Sequence, residues 1–164
     1  MAAAKALLAG RPHLTIACNY AGRDYPERID AWVTLHPELM GRWERERAKA
    51  GRNTDYRLFA HTAKHGCTPE VHRERWKGSS GLYMAQIALW MRCRAVILAG
   101  VPMEKDLGHF NYEGPWSDVE RYRSGFRAAA AECGPSIRSM SGWTARLFGK
   151  PDGDWLTERV KAQA

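Results

Sequence analysis

The sequence predicts an α/β protein: a mostly parallel sheet of about five strands flanked by helices, doubly wound and Rossmann-like, within a single domain over residues 1–164. Three observations carry that expectation. Short runs rich in β-branched and aromatic residues recur along the chain, helical periodicities separate most of them, and residues 81–91 are apolar nearly all the way round. An all-round apolar helix is one covered on several sides, so this segment is expected to be the central helix. Strands alternating with helices favour parallel pairing through right-handed crossovers.

The strand segments are HLTIAC (13–18), AWVTL (31–35), YRLFA (56–60), AVILAGV (95–101) and SIRSM (136–140). The stretch PELMGRWERERAKAG opens on Pro37, a favoured first helical residue, carries Leu39, Met40 and Trp43 on one side, and meets Gly51 as a stop signal. In PWSDVERYRSGFRAAAAECG, Ser117 and Glu120 have the spacing of a capping box. Val119, Tyr122, Phe126, Ala130 and Cys133 then form an apolar stripe that ends at Gly134. WTARLFGKPDGDWLTERV reads as two short helices split by KPDGD, with Trp143, Leu147, Phe148, Trp155 and Leu156 closing the core.

With 164 residues, 45% of them hydrophobic, the chain is long enough to bury a substantial core. Its formal charge is +7, and arginine supplies 18 of the 25 basic residues. Arginine's planar fork suits phosphate and carboxylate, so either a small anionic partner or a solvated basic surface accounts for the excess. Cys18, Cys67, Cys93 and Cys133 form no CxxC pair, and MAAAKALLAG is too short and weakly apolar for an export signal, so the expected location is cytoplasmic. No apolar run approaches the roughly 20 residues that span a bilayer.

In parallel α/β folds ligands lie beyond the carboxyl ends of the strands. Asn19, His36 and His61 follow the first three strand segments, and Gly100 to Met103 lie around the end of the fourth. Amide and imidazole groups both donate and accept, so these side chains suit the edge of a base or a sugar; turn-forming and capping roles are equally open to them. In KGSSGLYM, Gly78 and Gly81 permit a tight turn and Ser79 or Ser80 can cap the helix behind it, leaving amide groups for an anion. Arg73, Arg75 and Lys77 would steer a phosphate towards that turn, and Trp76 would offer a stacking face, unless the segment is simply a basic loop. His61, His65, Cys67 and His72 match no common zinc spacing, so no metal is expected there; a polar loop or lid is the better account of the segment. No helix-turn-helix or RNA-binding signature accompanies the basic charge, so sequence-specific nucleic-acid binding is not expected.

At Ser79, Ser80, Gly81 and Tyr83, followed by Ile97, Leu98, Gly100 and Met103, the chain resembles the sialyltransferase-like bacterial glycosyltransferases and their phage and prophage relatives. CNYAG and DAWVTLHPE extend the resemblance, which covers about residues 13–37 and 77–130. It implies a nucleotide or CMP-sugar donor held by Asn19, Ser79, Ser80, Gly81 and Gly100; by their places after strands or before the turn, His36, His61 and Arg75 are candidate substrate contacts. It also implies His109 as the general base, no required cofactor or metal, and, for a phage-encoded chain, the host cytoplasm. The chain departs from the family pattern in three ways. MAAAKALLAGRP stands where the family has a strand and a Gly-rich turn, Pro102 stands where an acidic residue is expected, and His109 lies closer to the fourth strand than the family's histidine. Those departures leave a second expectation, a non-catalytic phage or prophage accessory or assembly protein retaining the fold.

Overall fold

The computed structural model describes residues 2–63, 69–106 and 115–161. Its elements are α1 (Ala2–Leu8), β1 (Ile16–Cys18), α2 (Tyr20–Asp24), β2 (Ala31–Thr34), α3 (Pro37–Lys49), β3 (Arg57–Ala60), β4 (Glu70–Val71), α4 (Ser80–Trp90), β5 (Val96–Leu98), α5 (Val119–Cys133), β6 (Ile137–Ser139), α6 (Gly142–Phe148) and α7 (Gly153–Lys161). Each expected strand is present as a shorter paired segment. The short elements α1, α2 and β4 lie outside the expected set, because each is too brief to display a hydrophobic period.

The fold is α/β with parallel strands. They group as a four-stranded sheet in the order β1-β2-β3-β4 and a two-stranded sheet of β5 and β6, where about five strands were expected together. Periodicity identifies a strand but not its neighbour, since pairing is decided by packing. By contact the chain divides into two compact units: Pro12–Arg75 with Ser79–Trp90, and Met1–Arg11 with Trp76–Gly78 and Met91–Ala164.

In the four-stranded unit β2 is buried at every residue, so both of its faces are covered. Trp32 on one face packs with Ala17, Met40 and Trp43, and Tyr20, Tyr25 and Leu58 close that layer against α2 and α3. Phe59 points the other way and meets Trp90 of α4 with ring centroids 5.9 Å apart, which puts the apolar helix α4 on the opposite face. Gly22 is what lets α2 lie on the sheet: a Cβ there would stand 2.1 Å from the Trp32 indole.

Arg47 clamps this unit from inside. Its guanidinium is fully buried, and Nε donates to Asn53 O at 2.7 Å. Nη1 donates to Gly22 O and Tyr25 O, and Nη2 to Glu27 O and Asn53 Oδ1. Every N–H of the fork has an acceptor, so the charge is solvated by main-chain dipoles with no carboxylate among them, and burial lowers its pKa.

In the two-stranded unit Phe126 of α5 is fully buried against Trp143 and Phe148. Gly125 brings α5 onto the 76–78 segment, where a Cβ would sit 2.2 Å from Lys77 O. The Ser117–Glu120 capping box does not form. Asp118 occupies the N-cap position without a side-chain cap bond, and Glu120 pairs with Arg123 and Arg127. Two cations three and seven residues ahead on an exposed helix face compete better for that carboxylate than a backbone amide does. Arg123, which the helical pattern puts on the solvated face, lies over Trp143 and donates to Met103 O at 2.8 Å.

Candidate functional site

The carboxyl ends of β1 and β2 meet the start of α4 in one hydrogen-bonded set. Asn19 follows β1 directly with φ 48° and ψ −130°, a conformation that L residues rarely adopt. The surroundings over-determine it. Its N–H donates to Val33 O, and its carbonyl accepts from Gly22 N and Trp32 Nε1 at 3.0 Å each. Its side-chain Oδ1 accepts from Thr34 Oγ1 at 2.9 Å, and Nδ2 donates to Ser80 Oγ at 3.0 Å. Strain of about 1–3 kcal/mol persists only where the surroundings hold it this firmly. The strand therefore breaks sharply into α2 and presents an amide across the sheet edge.

Thr34 is the member that sequence reasoning missed. It is fully buried, and its hydroxyl accepts from His36 N at 2.8 Å while donating to Asn19. In AWVTL a threonine reads as a strand former, and the only signal of a second role is a hydroxyl at the strand's last position. Ser80 is buried as well, and among the described residues its hydroxyl accepts the Asn19 bond and donates to no other group.

Ser79 and His61 add a different feature. Ser79 Oγ and His61 Nδ1 are buried atoms with no hydrogen-bond partner among the described residues. Ser79 precedes α4, where its carbonyl accepts from Leu82 N and Tyr83 N. His61 follows β3, the strand paired with β2. In this unit the one further unpartnered buried side-chain atom among the described residues is Trp43 Nε1, which lies in the core against Tyr20.

The remaining expected site residues are placed as follows. His36 occupies the N-cap position of α3, makes no cap bond with its side chain, and is exposed with Nδ1 3.4 Å from Glu38 Oε1. Gly81 is buried in the first turn of α4, and neither it nor Gly78 has positive φ, so the turn does not depend on glycine's left-handed freedom. Arg75 is anchored through its N–H to Gln86 Oε1 at 2.8 Å, and Gln86 in turn donates to Arg73 O. Gln86 lies six residues into α4 from Ser80, about 9 Å along the axis. Trp76 is buried and donates to Glu132 Oε1 at 3.1 Å, which removes it as a stacking platform. Gly100 ends β5 in the other unit with φ 79° and open space around it. His109 lies outside the described residues, as do His65 and Cys67; among the described residues no cluster of three or more metal-ligating side chains occurs.

Arg73, Arg75 and Lys77 lead into the turn at Ser79, while several other arginines of this unit are paired. Arg23 is tied to Asp24 and Glu46, Arg28 to Asp30 and Asp55, and Arg57 to Glu70. Arg45, Arg47 and Lys49 sit on the later part of α3, which starts at the carboxyl end of β2 and runs back along the sheet. Burial pushes the Cys18 thiol up to about 11, so the thiol beside Asn19 stays protonated and unreactive at neutral pH. What converges is a set of hydroxyl and amide groups, competent to bind by hydrogen bonding. No helix of the described residues is long and apolar enough to cross a membrane.

No family model, curated protein or solved structure matches this chain.

Proposed function

We propose that the four-stranded unit binds a nucleotide or nucleotide sugar across the carboxyl ends of its strands, in the manner of the sialyltransferase-like glycosyltransferases that the sequence resembles. The observation that carries this reading is the Asn19–Thr34–Ser80 network. Residues distant in sequence, all three in the segments that carry the resemblance, are joined by side-chain hydrogen bonds at the edge where parallel α/β sheets take ligands. The reading treats the fold as a variant of the Rossmann-like, doubly wound plan. Binding is its core; sugar transfer, with His109 as base, is its extension.

The test is a thermal-shift and calorimetry panel of CMP, UMP, GDP-sugars and simple phosphates. A ligand at 100 times its dissociation constant stabilises the native state by about 2.7 kcal/mol. Asn19→Ala and Ser80→Ala are expected to abolish the shift of whichever ligand produces one. If both variants keep the full shift, the ligand binds elsewhere and the assignment fails. A donor-hydrolysis assay with CMP-sugar then separates an enzyme from a binding module: His109→Ala is expected to retain binding and lose hydrolysis.

A further inference from the structure

We infer that the two-stranded unit has a binding site of its own: a cavity beyond the carboxyl end of β6 that takes a small organic carboxylate, its anionic end held by Arg146, Lys150 and the Ser141 hydroxyl and its apolar body against Met140 and Ala145. These residues belong to the unit that does not contain Asn19 and Ser80, and they lie outside the segments that carry the family resemblance.

The turns at the two ends of α6 build the site. On the β6 side, Ser141 O accepts from both the Ser139 and the Thr144 hydroxyls, so the backbone of that turn is fixed from its buried side. Gly142 continues it with φ 68°, in close contact with Pro102. At the far end Gly149, with φ 84°, turns the chain back, and its carbonyl accepts from Ser139 N at 3.0 Å. That return bond brings Lys150 beside the end of β6. Gly142, Ala145 and Arg146 share one face of α6 at spacings of three and four. The first two have at most a methyl group, which leaves the face concave. With Met140, Ser141 and Lys150 they line a cavity of about 400 Å³, the size of a small-molecule site.

The lining fits an anion. Arg146 and Lys150 are two exposed cations among its residues, and no lining residue is acidic. Arg146 uses Nη2 for Glu104 Oε1 at 2.7 Å, whereas Lys150 has no ion pair among the described residues. Ser141 occupies the N-cap position of α6 without a side-chain cap bond, so its hydroxyl remains for a ligand. A guanidinium fork, an ammonium and a hydroxyl make a donor set for an oxyanion. Glu104 selects the kind. Its carboxylate, shared between Arg146 and Arg123, stands next to the site and repels a second negative charge, so a carboxylate monoanion suits the cavity better than a phosphate dianion. Met140 and Ala145 supply a wall for an aliphatic or aromatic body.

The experiment titrates the full chain with benzoate, acetate, neutral benzamide and phenyl phosphate, followed by ligand-observed NMR. Benzoate is expected to bind saturably with a Kd on the order of 1 mM. Acetate, which lacks the apolar body, and benzamide, which lacks the charge, should each bind about fivefold or more weaker. Lys150→Ala and Arg146→Ala should each weaken benzoate about tenfold while the melting temperature moves by no more than about 2 °C, because both side chains are exposed. Asn19→Ala should leave benzoate binding unchanged. No saturable benzoate binding up to about 20 mM overturns the inference, as does full binding by either cation variant or loss of binding in Asn19→Ala. Benzamide binding as well as benzoate removes the role of charge, and phenyl phosphate binding more than about threefold tighter than benzoate removes the choice of a carboxylate; either result overturns the inference too. None of these outcomes bears on the nucleotide reading, which fails through Asn19 and Ser80 instead.

Discussion

The two units handle polar groups at their strand ends in opposite ways. In the two-stranded unit Ser139 and Thr144 are fully buried and bond to each other at 2.8 Å, and both reach main-chain carbonyls, Leu98 O and Ser141 O for Ser139, Val101 O and Ser141 O for Thr144. Gly142, with φ 68°, is pressed so close to Pro102 O that a Cβ would stand 2.5 Å away. There the hydroxyls are satisfied by one another and by the main chain, beside a cavity lined by Met140, Ser141, Gly142, Ala145, Arg146 and Lys150. In the four-stranded unit the corresponding groups bond side chain to side chain, hold a strained Asn19, and leave Ser79 Oγ and His61 Nδ1 without a partner among the described residues. Self-satisfied hydroxyls lock a turn, whereas unsatisfied ones retain free energy that a ligand can recover. The residue types are similar in the two places, so the distinction lies in where the partners are.

The sharpest way to break this comparison is to remove the clamp behind the open edge. Arg47→Met strands four main-chain carbonyls, while Asn53 Oδ1 keeps its bond from Ile29 N, and a loss of about 3–5 kcal/mol is expected in urea unfolding. A loss under about 1 kcal/mol would show that the carbonyls find other donors.

Asn19→Ala comes next, with an expected loss of about 2 kcal/mol: two side-chain bonds disappear while the backbone strain remains. Asn19→Gly should recover about 1 kcal/mol of that, since glycine accepts the positive φ. Equal losses would mean that the turn is not strained. In the two-stranded unit, Thr144→Val is expected to cost about 1–3 kcal/mol by leaving Val101 O unmet, and to leave nucleotide binding by the other unit unchanged. A loss of binding with that variant would end the distinction between the edges.

Smaller effects test the electrostatics. Burial pushes the Tyr83 phenol up to about 12 and raises that of Tyr56 as well. A phenol held neutral contributes stability that is intact below its ordinary value near 10 and is lost as pH rises towards the folded-state value. The urea midpoint should therefore hold steady to about pH 9.5 and fall between about pH 10 and 12, and Tyr83→Phe should flatten part of that fall. Smallest of all, Arg57→Met removes an exposed pair with Glu70 and is expected to cost at most about 1 kcal/mol, a loss that high salt reproduces in the wild type.

The sequence by itself determined the local elements. The Pro37 start of α3, the all-round apolar α4 and the β-branched or aromatic cores of β1, β2, β3, β5 and β6 are legible because helix and strand periods depend on near neighbours. It also singled out Asn19, which follows a parallel strand, and Ser80, in the Gly-Ser turn before the apolar helix. The tertiary structure decided what each polar group does there. Only packing could show that Thr34 links Asn19 to His36, that Trp76 is buried rather than a stacking face, and that Arg47 caps carbonyls rather than binding an anion. It also split the strands into sheets of four and two. The physical reason is the same in each case: hydrogen-bond partners and sheet neighbours are contacts between residues far apart in sequence, and no local period encodes them.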